Sequence, residues 1–220
     1  MGLNPATFYN EQILPRCVDK MCANPEMEPW RRRAVEGLEG TIVEIGFGSG
    51  ANVAVYPPEV TRVFGVEPSS TARGMAAERI VRARSQWSDE DHPFPMIEMV
   101  GLDGESLPLE DDSCDGALST FTLCTIPHAD RALAELRRVV RPGGRVNFLE
   151  HGIAEDSATV VWQRRFEPMQ KRLAGGCHLT RDTAAMVADA GFRIDHVESR
   201  FARGPKPWTW FTVGSAINPG

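Results

Sequence analysis

Apolar residues gather along the chain in seven short runs, each bounded by turn-forming residues. They are TIVEIG from Thr41, TRVFGVEP from Thr61, PMIEMVG from Pro95, CDGALSTFT from Cys114, GRVNFLEHG from Gly144, FRIDHVESRF from Phe192 and WTWFTVGSAI from Trp208. Runs of this length, rich in β-branched and aromatic residues, predict strands. Between several of them lie longer stretches with helical spacing, such as STARGMAAERIVRARSQW from Ser70 and ADRALAELRRVV from Ala129. The second sets Leu133, Leu136, Val139 and Val140 on one stripe, and Arg141-Pro142-Gly143-Gly144 is placed to stop it. Strand alternating with helix predicts a mostly parallel sheet covered on both faces. Only Gly204-Pro205-Lys206-Pro207 and a few neighbours separate the last two strands, too few for a crossover helix, so the final strand is predicted to run antiparallel as a hairpin. Ahead of the first strand, Asn10 to Leu38 reads as helical pieces interrupted by Pro15, Pro25 and Pro29, a cap in which Trp30, Val35 and Leu38 can pack.

A chain of 220 residues with 42% hydrophobic residues can bury a substantial core, and no linker or repeat divides it. The formal charge of −6 argues against a broad nucleic-acid face. Arg31-Arg32-Arg33 is the one tight basic cluster and reads as a solvated helix face. No apolar stretch reaches the ~20 residues of a membrane span, and no secretion signal is visible, so a cytoplasmic protein is expected, as monomer or homodimer. Five scattered cysteines without a CxxC pair suggest neither a disulfide framework nor a zinc site.

The chemistry concentrates in VEIGFGSGAN, which follows the first strand as a turn expected to open into the first helix. Ligands of open α/β sheets sit at the carboxyl ends of the strands, where such a turn falls, and glycines let backbone approach them. Glu67, 17 residues after Gly50, ends the second strand where a carboxylate can accept both hydroxyls of a ribose. An adenosine-containing cofactor follows. Gly46, Gly48 and Ala51 also satisfy the dinucleotide fingerprint, so the glycine pattern alone leaves an NAD(P)-dependent oxidoreductase open. Glu44, an acid inside a strand expected to be covered on both faces, suits a ligand carrying an ammonium group better than a pyrophosphate.

Taken in order, VEIGFGSG, VEPS, GLDGESLPLEDDSCD, ALSTFTLCTI and ELRRVVRPGGRVNFLEH resemble the successive motifs of class I S-adenosylmethionine (SAM)-dependent methyltransferases over about residues 40 to 215. GANVAVYPP, TLCTIPHADRALAELRRVVRPGGRVNFLEH and GGCHLTRDT are most similar to the methyltransferase-like alkyl-thiol methyltransferases of animals and their bacterial relatives, without the apolar N-terminal anchor of the animal enzymes. The resemblance implies a Rossmann-like seven-stranded α/β fold with an antiparallel last strand and a helical N-terminal cap. It implies one domain over 1–220, divided into a cap (1–39), a SAM-binding core (40–150) and an acceptor-side segment with the last two strands (151–220). It places Glu44, Gly46, Gly48 and Gly50 about the methionine moiety and Glu67 at the ribose, with Asn52, Pro68 and Ser69 also binding the cofactor. Asp103, Gly104 and Glu105 fall at the adenine, and Thr120 and Phe121 near the methyl group.

The implied reaction is methyl transfer to a small-molecule acceptor, most simply a thiol. A phenol, a quinone or a lipid amine are the alternative acceptors, and a non-catalytic SAM-binding protein is the remaining one. The sulfonium is already activated, so alignment and exclusion of water are the main demands on the protein. A thiol reacts best as thiolate, which makes a nearby base useful. His151 is the first candidate, and Cys124, Trp162, Phe166 and His178 are candidates for the acceptor pocket. Trp162, Phe166, Met169 and Leu173 form one helical stripe, and Ile13, Leu14, Val18 and Met21 another.

Overall fold

The computed structural model describes residues 5–220, so the first four residues of the expected cap lie outside the described residues. The cap is helical, as its pattern predicts. α1 (Pro5–Phe8), a π-helical stretch (Tyr9–Ile13) and α2 (Leu14–Cys22) run on from one another, and a 3-10 turn (Pro25–Met27) leads into α3 (Glu28–Val35). The prolines shape these helices more than they break them. Pro15 has no N–H to return to the carbonyl four residues back, and the wider π-helical turn lies immediately ahead of α2. Pro25 and Pro29 occupy first turns, where that N–H is not needed. Trp30, Val35 and Leu38 are buried against the sheet, as expected.

All seven strands form: β1 (Gly40–Ile45), β2 (Val60–Val66), β3 (Met96–Gly101), β4 (Cys114–Thr120), β5 (Val140–His151), β6 (Arg193–Phe201) and β7 (Trp210–Ile217). They make one sheet in the order β3-β2-β1-β4-β5-β7-β6. The pairs among β1 to β5 are parallel, and β7 runs antiparallel between β5 and β6. α4 (Ser70–Gln86), α5 (Ala129–Val139), α6 (Ser157–Leu173) and α7 (Thr183–Asp189) complete the framework. Side chains of Ser69, Asp156 and Asp182 accept backbone N–H bonds at the starts of α4, α6 and α7, which fixes where each helix begins.

Burial on both faces of the central strands follows from their apolar sequence. Val43, Ile45 and Ala117 pack with Leu133, Leu136 and Val139 of α5, and Ile42, Leu118 and Leu149 pack with Trp30, Ala34 and Val35 of α3. Each such large side chain contributes about 1.5–3 kcal/mol.

Two local expectations are corrected. Among the described residues no helix follows β1. The N–H groups of Gly50, Val53 and Val55 bond three residues back, at 3.0, 3.1 and 2.9 Å, so the segment is a chain of tight turns that Pro57 and Pro58 then end. The Arg141–Gly144 segment does stop α5, yet it lies inside β5. Pairing with β4 jumps from Cys114–Val140 to Gly116–Arg145, and the extra residues bulge out.

Candidate cofactor and acceptor site

β1 has β2 on one side and β4 on the other, so strand order reverses at β1 and a crevice opens beyond the strand ends. A cavity of about 740 Å³ lies there, within the range of small-molecule sites. Its floor is Gly46 to Ser49, Glu67 to Ser69, Asp103 to Glu105 and Thr120 to Thr122, and α2 roofs it with Leu14, Pro15 and Val18. The roof is pinned by charge. Arg79 of α4 donates to the Ser49 carbonyl at 2.8 Å and to Asp19 of α2 at 3.0 Å, and the Ser49 hydroxyl also donates to Asp19.

Gly46 has a φ of +65°, and a Cβ there would stand 2.7 Å from that of Thr122, so only glycine fits. Gly48 differs. Its φ is +57°, but the nearest atom to an added Cβ is the Gly46 carbonyl oxygen at 3.7 Å, so this backbone faces open cavity. The carboxylate of Glu67 accepts from the Gly48 N–H at 2.9 Å and the Ser69 N–H at 2.8 Å, which holds it rigidly at the floor. Burial raises its pKa, and those two donors oppose the rise. Asp103 accepts from the Glu105 N–H at 2.8 Å in a local turn, and Glu105 reaches the His128 N–H, at the start of α5, at 3.0 Å. Both acids line the cavity.

Glu44 and Asn52 stand one layer behind this surface. Glu44 is fully buried and accepts from Asn52 Nδ2 at 2.8 Å and from the Tyr56 hydroxyl, and burial pushes its pKa up to about 7. The cation in front of them is Arg31, which corrects the solvated-face reading of the basic cluster. Arg31 is 5% exposed and lines the cavity. It donates to Asn52 Oδ1 at 2.7 Å, to Thr120 Oγ1 at 3.2 Å and to the Cys22 carbonyl. Arg32 and Arg33 do face outward, paired with Glu28 and Glu198. At 100° per residue, one of three consecutive helical positions can point inward while its neighbours do not.

The loop after β4 is held from both sides. Phe121 takes a left-handed φ of +55°, and its N–H donates to the Leu149 carbonyl at 2.8 Å. Glu150, fully buried and unmarked in the sequence reading, accepts from the N–H groups of Thr122, Leu123 and Cys124 at 3.0–3.1 Å and from the Ser119 hydroxyl at 2.7 Å. Arg181 binds carbonyls of the same loop, that of Ile126 at 2.7 Å. An acid inside the buried run NFLEH was the available signal for Glu150, of the same kind as Glu44 in TIVEIG.

His151 and Cys124 do not line the cavity. The His151 ring packs between Phe121 and Phe211, with centroids 5.2 and 5.0 Å away, and its Nδ1 faces the thiols of Cys124 and Cys177. The Cys177 thiol and burial raise the Cys124 pKa. His178 pairs with Glu167 at 3.5 Å, and burial lowers its pKa. Trp162 and Phe166 stack on each other at 5.6 Å, Phe166 lies against Trp208 at 4.8 Å, and neither reaches the cavity. Cys124, His178, Trp162 and Phe166, expected as pocket walls, therefore stand outside it, as does His151, expected as the base. Thr125, Ile126, Gly175 and Gly176 take that place, beside Leu14 and Val18.

A glycine turn after β1, a backbone-held acid after β2 and an antiparallel β7 beside β5 define the class as Rossmann-like SAM-dependent methyltransferases. Residues 43–148 match the family model described as a methyltransferase domain. The chain is 32% identical to thiol S-methyltransferase TMT1B of Homo sapiens over 206 residues, covering 89% of this chain and 79% of that one. It is 32% identical to the Rattus norvegicus TMT1B over 181 residues, covering 81% and 69%. In fold it resembles the phospholethanolamine N-methyltransferase 2 of Haemonchus contortus, solved with S-adenosylhomocysteine, at a TM-score of 0.70, 13% identity and coverage of 100% and 62%. The chain belongs to the SAM-dependent methyltransferase family, and the dinucleotide reading of its glycine turn is set aside. Among the described residues no helix is long and apolar enough to cross a membrane.

Proposed function

We propose that the protein transfers a methyl group to the sulfur of a small, largely apolar thiol. The observation that carries this is the two-sided cavity, with a polar floor at the strand ends and an apolar roof of Leu14, Val18, Ile126 and the Gly175-Gly176 backbone. The thiol S-methyltransferases among its relatives support sulfur as the methylated atom. O-, C- and N-methylation are the competing outcomes.

The residues present fit SAM. The open backbone at Gly48 admits close approach, Glu67 is fixed with free lone pairs for ribose hydroxyls, and Asp103 to Glu105 edge the far end of the floor. Arg31 supplies a guanidinium for the methionine carboxylate. Asn52 acts from behind, accepting from that guanidinium and donating to Glu44, which fixes its orientation. Pro68, Ser69, Thr120 and Phe121 close the walls.

SAM supplies a methyl group already activated by its sulfonium. The chain aligns the acceptor and excludes water, effects that together can reach about 10 kcal/mol. No general base is assigned, because the Nδ1 of His151 faces two thiols behind Phe121. The acceptor is taken up as its thiolate. Residues 40–150 would hold the cofactor together with Arg31 of the cap, and the rest of 1–39 with 151–220 would complete the acceptor side as parts of one domain. Five free cysteines suit a reducing cytoplasm, with the protein a monomer or homodimer.

The test is a screen of thiols, phenols and amines with labelled SAM, read as methylated product. Thiols are expected to turn over, with a rate at subsaturating thiol that climbs with pH and levels near the acceptor's pKa. Turnover of a phenol or amine with no product from any thiol overturns the proposal.

A further inference from the structure

Two thiols and one imidazole, distant in sequence, meet behind Phe121. Cys124 lies on the loop after β4, His151 ends β5 and Cys177 follows α6. Their facing atoms make a nearly equilateral triangle, with 3.7 Å between the sulfurs, 3.7 Å from Cys177 Sγ to His151 Nδ1 and 3.9 Å from Cys124 Sγ to the same nitrogen. Both cysteines are buried and His151 is half-buried.

Thiols are weak hydrogen-bond partners, so three such contacts at van der Waals range do little to explain why these groups converge. A tetrahedral cation with M–S of about 2.3 Å and M–N of about 2.0 Å sets an S···S edge of about 3.8 Å and an S···N edge of about 3.5 Å. The observed edges agree within a few tenths of an ångström. The backbone is also fixed beforehand. The Cys124 N–H donates to Glu150 at 3.1 Å and its carbonyl accepts from the His178 N–H at 2.7 Å, while the Cys177 N–H donates to the Ala174 carbonyl at 3.2 Å. Phe121 and Phe211 hold the imidazole plane.

We propose that Cys124, His151 and Cys177 bind one thiophilic closed-shell cation, Zn(II) or Cu(I), through Sγ, Nδ1 and Sγ. Two thiolates and an imidazole form a donor set that suits these ions and discriminates against magnesium and calcium. Three protein ligands leave a fourth position open on zinc. Binding releases both thiol protons to solvent and involves no change of oxidation state. The ion ties the loop after β4, the end of β5 and the segment after α6 together, beside the cavity residues Thr125 and Gly176. The scattered spacing that argued against zinc in the sequence is bridged by the fold.

The test uses the full chain, reduced and stripped with chelator, titrated with Co(II), Zn(II) and Cu(I). One Co(II) per chain is expected, with thiolate charge-transfer absorption that Zn(II) abolishes, and about two protons are released per zinc in unmodified protein. Cys177→Ser should lose about half of that absorption and bind zinc at least about tenfold more weakly. Cys17→Ser, at an exposed position, should behave as wild type. Stoichiometric displacement of zinc by Cu(I), with the same dependence on Cys177, would identify the cuprous ion as the preferred occupant. Absence of the absorption and of proton release, or binding that Cys177→Ser leaves intact, overturns the site.

Discussion

Glu44→Gln tests the energetic weight of one buried charge. In the fold the carboxyl is pushed up to about 7 from its ordinary 4.5 by burial, against the opposing influence of Tyr56, Asn52 and Arg31. Between those values the folded chain retains a proton that the unfolded chain has released. The native state is therefore progressively disfavoured as pH rises through that window. At about 1.4 kcal/mol per tenfold change in proton activity, the whole loss is about 3 kcal/mol and is complete above about pH 7. Glutamine keeps the shape, still accepts from Asn52 and turns its amide toward the Tyr56 oxygen, but cannot ionise. Urea unfolding of both proteins at pH 5 and pH 8 should show the variant gaining about 2.5 kcal/mol on the wild type between the two conditions. Subtracting one protein from the other cancels the remaining carboxylates, including Asp115 and Glu135, whose lowered pKa values act at lower pH and in the opposite sense. A difference that stays flat from pH 5 to pH 8 refutes the assignment of a buried, reluctantly charged carboxyl.

Further expectations concern the cavity itself. Glu67→Ala should weaken SAM at least about tenfold in calorimetry, since charge-assisted bonds to the cofactor disappear together with the clamp on Gly48; unchanged affinity would remove Glu67 from the site. Gly46→Ala should abolish SAM binding or folding because its Cβ meets Thr122, whereas Gly48→Ala, strained but unobstructed, should fold and bind measurably. The reverse order, read by thermal melts and calorimetry, would contradict the placement of this turn. Arg31→Met should cut SAM affinity at least about tenfold and leave Asn52 Oδ1 without that donor, while Arg32→Met and Arg33→Met should bind as wild type; equal effects at all three positions would mean that Arg31 does not meet the cofactor.

What the sequence makes legible is what local spacing encodes. The strands, the glycine turn and Glu67 are specified within a few residues of one another, and the short β6–β7 connection alone dictates an antiparallel β7. Arg31 escapes such reading because two solvent-facing arginines follow it, and its inward direction depends on where α3 meets the sheet. Trp162 and Phe166 share a stripe, as their spacing requires, but periodicity does not say which neighbour a stripe meets, and here it is Trp208. Cys124, His151 and Cys177 come from three separate segments, and no spacing rule reaches across them.

β6 bonds only to β7, so it has no place in the sheet until the strand that follows it exists. During synthesis β1 to β5 can pair as they emerge, while the residues of β6 must wait with their backbone groups in water. The two last strands can close on each other first, through their short connection, and then dock as a ready-made hairpin along β5. The sheet is completed only when this hairpin covers the flank of β5, and until then that flank is an open edge on which a stalled nascent chain would meet the wrong strand.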